Sequence, residues 1–79
     1  MKVLFFAQSR LVAGCDDFLL KADRPLTESE FWALLIATFP ALSAYRKTAR
    51  IARHETYLQA DELLNPDDEI AVIPPVSGG

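Results

Sequence analysis

Cysteine occurs once, at Cys15, so no internal disulfide can form. That scarcity fits a reducing compartment. Histidine also occurs once, at His54, and one Cys with one His does not make a dedicated zinc site. No apolar run approaches the roughly 20 residues that span a membrane. The first residues, Met1 to Ala7, carry one positive charge and a short apolar stretch, without the length or cleavage site of a signal peptide. Cytoplasm is therefore the expected location. Positive charge is in deficit too: the formal net charge is -3. Nucleic acid and acidic membrane both reward a basic face, so neither is expected as the main partner. Repeats and low-complexity segments are absent. What remains is 79 residues, enough for one domain, of which 51% are hydrophobic. That is ample for a core and excludes a disordered chain.

The apolar residues fall into strand and helix patterns. Val3 to Ala7 is a continuous apolar run and predicts a central strand. Gln8 to Ala13 predicts a short helical turn, closed by Gly14 as C-cap. Asp17 to Ala22 predicts a second strand, nearer an edge. Thr27, Glu28, Ser29 and Glu30 spell a capping box. The helix it opens should run to about Thr38, because Pro40 forces Phe39 out of helical geometry. Phe31, Leu34, Leu35 and Thr38 are expected on its core face. Trp32, Ile36 and Phe39 widen the stripe, with Ala41, Leu42 and Tyr45 covering part of the excess. Thr48 to Arg53 and Tyr57-Leu58 predict two short strands around a turn at His54-Glu55. Asn65-Pro66-Asp67-Asp68 is a turn, and Glu69 to Ile73 a last, central strand. The order is strand, strand, helix, strands. It predicts an α+β fold, a mixed β-grasp sheet with one main helix across one face.

Strand parity makes a functional statement. If Val3, Phe5, Ile70 and Val72 point at the helix, then Leu4, Phe6, Ala71 and Ile73 point away from it. One helix covers one face only. The other face should expose Leu4, Phe6 and Ile73, joined by Tyr57, and an exposed apolar patch of this kind marks an interaction surface.

Pro74-Pro75 is the strongest punctuation in the chain. Neither residue donates to a sheet ladder, so the strand must stop there. The organisation expected is a domain over 1-75 and a flexible diglycine tail over 76-79. Those four residues, Val76, Ser77, Gly78 and Gly79, add at most about 13–14 Å of reach. A bare Gly78-Gly79 end makes chemical sense if the terminal carboxylate is the reacting group, since glycine lets a narrow site close on the backbone. A carboxylate is a poor electrophile. It needs activation, most simply as an acyl-adenylate, from which a sulfur donor displaces AMP to leave a thiocarboxylate.

Two stretches carry a resemblance. Met1-Lys2-Val3-Leu4-Phe5-Phe6-Ala7-Gln8, followed by Arg10 and Gly14, resembles the start of the small subunit of molybdopterin synthase, a ubiquitin-like sulfur carrier. Asp68 to Gly79, ending Pro-Pro-Val-Ser-Gly-Gly, resembles its end. Leu11 stands where the family often has Glu, and His54 where it often has Asn. The resemblance implies a non-catalytic, sulfur-donating subunit with no bound cofactor of its own. Gly79 would be adenylated, with ATP, by an adenylyltransferase related to ubiquitin-activating enzymes. A sulfur donor would then convert it to the thiocarboxylate. The tail would enter a large catalytic subunit and give sulfur to cyclic pyranopterin monophosphate, in a heterotetramer of two small and two large subunits. Gly79 and Gly78 are the reacting end; Phe6, Tyr57, Ile73, Pro74, Pro75, Val76 and Ser77 are the expected partner-binding residues.

Other residues invite blander readings. Cys15 is followed by Asp16 and Asp17, the wrong surroundings for a reactive thiolate. His54 fits a surface turn. Arg46, Lys47, Arg50 and Arg53 form a loose basic cluster, of a kind usually left in solvent. Asp61, Glu62, Asp67, Asp68 and Glu69 suit either turns or steering toward a basic partner. Three rivals share parts of the pattern: a thiamine-pathway sulfur carrier, a ubiquitin-like protein modifier, and an interaction module with an inert tail.

Overall fold

The computed structural model describes residues 1–75. The tail, Val76 to Gly79, lies outside them, and so do the expectations for Val76, Ser77, Gly78 and Gly79. Among the described residues the elements are β1 (Lys2–Phe5), α1 (Gln8–Ala13), β2 (Asp17–Leu19), α2 (Glu28–Thr38), a 3-10 helix (Pro40–Tyr45), β3 (Arg50–Arg53), β4 (Thr56–Tyr57) and β5 (Glu69–Ile73). They make one sheet in the order β2-β1-β5-β3-β4. β1 and β5 run parallel at its centre, and the other pairs are antiparallel. This is the expected α+β arrangement, with the two most apolar strands in the middle.

Local chemistry sets the boundaries. Gly14 ends α1 in the left-handed conformation, φ 76°, and its N–H bonds the Arg10 carbonyl. Thr27 caps α2 with both halves of the capping box: its hydroxyl accepts the Glu30 N–H, and the Glu30 carboxylate accepts the Thr27 N–H. Arg24 binds the same carboxylate through both terminal nitrogens, at 3.2 and 2.7 Å. Arg24 first, then the Thr27 N–H, hold Glu30 at a pKa of about 2. His54 and Glu55 both adopt positive φ, 51° and 67°, which a two-residue hairpin with matching twist requires. Asp68 closes the turn before β5 by donating its N–H to the Asn65 carbonyl at 2.9 Å.

The core lies between the sheet and α2. Val3, Phe5, Ile70 and Val72 are all buried and point at the helix, as parity requires. Leu42 of the 3-10 helix and Leu26 and Leu64 of the loops close the ends. Phe39 packs edge-on to both Phe5 and Phe18.

Two expectations for α2 fail. Leu34 is 42% exposed, and Thr38 is exposed with its hydroxyl on the Leu34 carbonyl. The buried residues are Phe31, Trp32 and Leu35. At about 100° per residue, Leu35 sits between Phe31 and Trp32, and Leu34 falls about 110° from the centre of that arc. The large indole, not the leucine, takes the sheet. Three strands are also shorter than expected. β1 stops at Phe5, two residues short of Ala7, whose φ of 53° is not that of a strand. β2 stops at Leu19, and the pairing beyond it is made by Met1 and Leu20 through their main chains. β3 starts at Arg50, because Thr48 and Ala49 bond back to Tyr45.

Candidate partner face and tail exit

The sheet face turned from α2 is built by register. Leu4 pairs with Ala71, and Ala71 with Ala52, which in turn pairs with Tyr57. This row has small residues at its middle and larger ones at its ends. Phe6 and Ile73 stand beside it, and the result is a concavity of about 380 Å³ with His54, Glu55 and Glu69 at its rim. Phe6 is 47% and Tyr57 46% exposed, and Ile73 is half-buried. Three of the residues expected to meet a partner, Phe6, Tyr57 and Ile73, therefore line one surface. Two half-exposed aromatic rings around an alanine floor are the kind of anchors that protein interfaces use. Arg50 lies with its guanidinium carbon 4.2 Å from the Tyr57 ring centre, a cation–π contact at the same end as Ile73, its partner in the ladder.

Of the remaining expected residues, the two described, Pro74 and Pro75, lie where β5 leaves the sheet. Pro74 is buried and Pro75 exposed. A second concavity, about 440 Å³, runs along Ile73, Pro74 and Pro75 against Ala7 and Leu11. Ile73 lines both concavities, so the exit of the chain adjoins the apolar face.

Charges near the face are more organised than the sequence suggests. Arg53 is not a solvated member of a basic cluster. Its side chain is 23% exposed and is paired with Glu62, with the Leu63 carbonyl, and with Asp68 at 3.5 Å. Asp68 is buried, accepts the Asn65 N–H at 2.8 Å, and lies 3.2 Å from His54 Nε2. Burial pushes its carboxyl up; the Asn65 N–H, His54 and Arg53 outweigh that and hold it below the usual carboxylate range. His54 thus sits on a surface turn, as expected, but with a buried carboxylate behind it. Cys15 is half-buried against the core and unpaired. Among the described residues no group of three or more His, Cys, Asp or Glu side chains is placed to hold a metal ion. No helix among them is long and apolar enough to cross a membrane.

The corner between β1 and α1 leaves almost no mark in the hydrophobic pattern of the sequence. Ala7, between β1 and α1, has φ 53° and ψ -133°, and the following Ser9 is fully buried. A serine inside a short helix next to an apolar strand is the only trace of it.

The chain resembles known proteins in sequence and in fold. The model of the ThiS family matches residues 3–79. A molybdopterin synthase sulfur carrier subunit from Chlamydomonas reinhardtii is 40% identical over 100% of this chain and 98% of its own. The protein of that name from Escherichia coli is 35% identical, covering 100% and 99% of the two chains. Among solved structures, SAMP1 from Haloferax volcanii superposes with a TM-score of 0.85 at 28% identity, over 100% and 98% of the two chains. A complex of subunits 1 and 2 of the molybdopterin-converting factor from Helicobacter pylori contains a chain that matches with a TM-score of 0.67 at 24% identity, over 99% and 96%, a likeness of fold. The chain belongs to the ThiS family and, within it, groups with the molybdopterin synthase sulfur carrier subunits.

Proposed function

We propose that this chain is the sulfur carrier subunit of a molybdopterin synthase. The observation that carries the reading is its full-length likeness to sulfur carrier subunits at 33–40% identity. The Gly78-Gly79 end beyond Pro74-Pro75 supplies the chemistry. The Gly79 carboxylate attacks the α-phosphate of ATP in an adenylyltransferase related to ubiquitin-activating enzymes, and pyrophosphate leaves. A sulfur donor then displaces AMP from the acyl carbon, giving the thiocarboxylate. The tail enters the large catalytic subunit, its sulfur forms a bond to cyclic pyranopterin monophosphate, and water cleaves the acyl–sulfur bond, so that the sulfur stays on the pterin and Gly79 returns to a carboxylate. Two loaded chains serve each dithiolene. ATP is a substrate of the activating enzyme; the carrier itself needs no bound cofactor. A cytoplasmic site of action goes with this use of ATP.

The face of Phe6, Tyr57 and Ile73 is the surface proposed to meet the large subunit, with Pro74, Pro75, Val76 and Ser77 leading the end into its active site. The Helicobacter pylori complex of two subunits supports a partner of that kind. A second reading, a protein modifier, is favoured by the likeness to SAMP1, a name that stands for small archaeal modifier protein 1.

The test is reconstitution. The chain is incubated with an adenylyltransferase, ATP, a sulfur donor, the large subunit and the pterin precursor, and molybdopterin is assayed. Formation with this chain, and none with the Gly79-deleted chain, is the expected result. Conjugates on lysine side chains, without molybdopterin, would give the place to the modifier reading.

A further inference from the structure

The passage from β1 to α1 is strained, and the strain is held in place. Ala7 occupies φ 53°, ψ -133°. A residue with a Cβ is uncomfortable there, in a region that glycine enters freely. Ser9 fixes the corner from inside. Its hydroxyl oxygen accepts the Phe6 N–H at 3.1 Å and lies 2.6 Å from the Phe6 carbonyl oxygen and 3.4 Å from that of Val72. A hydroxyl has one proton, so the shorter contact takes most of it. The Phe6 N–H also reaches the Val72 carbonyl, at 3.3 Å. The Phe6 N–H, shared between the Ser9 hydroxyl and the Val72 carbonyl, thus ties the corner to the end of β5, one residue before Ile73 and two before Pro74.

Pro74 is buried where this corner meets β5, beside Ala7 and Leu11. Its φ is fixed by its ring. We propose that the Ala7–Ser9 corner is a positioning element for the C-terminal segment: it holds the end of β5 and Pro74, and so sets the direction in which the chain leaves the domain. The inference rests on the sulfur-carrier reading for its purpose, because only a reacting C-terminus gains from a fixed departure point. Order already present at Pro74 need not be created when the segment enters a partner's active site. Alanine at position 7, where glycine would be easier, keeps the corner stiff.

Two variants and two measurements test it. Ser9→Ala removes the hydroxyl that holds the Phe6 N–H and carbonyl at the corner. Ala7→Gly relieves the strain and frees the backbone. Pro74 order is read in the free protein from Cα–Hα relaxation by NMR. The rate of thiocarboxylate formation, at carrier concentrations below saturation, is read by intact-mass spectrometry. Both variants should lower Pro74 order while Val3 and Val72 stay as they were. Both should load about tenfold more slowly, the loss expected when one freed residue must be ordered again. Ala7→Gly should do so with an unchanged or higher Tm. A merely structural corner would move stability and loading together, so slower loading in a more stable variant is the distinguishing result. Unchanged Pro74 order in both variants overturns the proposal, and so does loading at the original rate. If the unaltered chain is not loaded at all, the sulfur-carrier reading fails, and the Pro74 measurement alone decides whether the corner positions the segment.

Discussion

Asp68→Ala takes one buried acceptor away from three donors at once. The cost differs for each. The Asn65 N–H, at 2.8 Å and partly buried, loses its side-chain partner outright. Arg53 keeps Glu62 and the Leu63 carbonyl, so its loss is small. His54 is 63% exposed and turns to water. One charge-assisted bond therefore dominates, and the expected loss is about 2–3 kcal/mol. For a domain of this size that lowers Tm by roughly 10–20 °C. The pH dependence has a definite sign. Because the folded carboxyl is held below its unfolded value, its contribution is fully present above about pH 4. It is lost as pH falls through the lower, folded value. The assay is urea unfolding followed by far-UV circular dichroism, for both chains, at pH 7 and near pH 3. The gap between them should be wide at pH 7 and narrower in acid. A gap below about 0.5 kcal/mol at pH 7, or one that does not shrink with acid, would refute the network as described.

The core and the partner face give two further predictions. Leu35→Ala should cost about 2–5 kcal/mol in urea unfolding, whereas Leu34→Ala, on the same helix but half exposed, should cost less than about 1 kcal/mol; similar losses would contradict the helix orientation. Phe6→Ala or Ile73→Asp should weaken binding to the large subunit by at least about tenfold in calorimetry while the far-UV spectrum stays unchanged. Unaltered affinity in both would remove this face from the interface.

Much of the fold is legible in the sequence because the strongest signals are local. Thr27 and Glu30 are three residues apart and form the capping box that their types predict. Pro40 ends α2, Gly14 ends α1, and the two apolar strands lie at the sheet centre. Strand parity carries across to the face of Phe6, Tyr57 and Ile73 because a period of two leaves no freedom once one side is buried. What is not legible depends on distance in sequence. The helix stripe holds more apolar residues than one face takes, and only the packed sheet decides for Trp32 over Leu34. Arg53 looks like a member of a basic cluster until Asp68, fifteen residues on, is brought beside it by the β3–β5 pairing. The positive φ of Ala7 goes with the bonds of the preceding Phe6 to buried Ser9 and to the distant Val72, and no local propensity announces it.

The central claim is that the terminal carboxyl of Gly79 is the working group. Intact-mass spectrometry after incubation with an adenylyltransferase, ATP and a sulfur donor tests it most directly. The chain should gain the mass difference between sulfur and oxygen, localised to its C-terminal peptide. Chains lacking Gly79, or extended by one residue, should gain nothing, because the carboxyl then stands about 3.3–3.6 Å from where the activating site holds it. Equal loading of the shortened or extended chain, or sulfur found anywhere but the terminal carboxyl, would contradict the account.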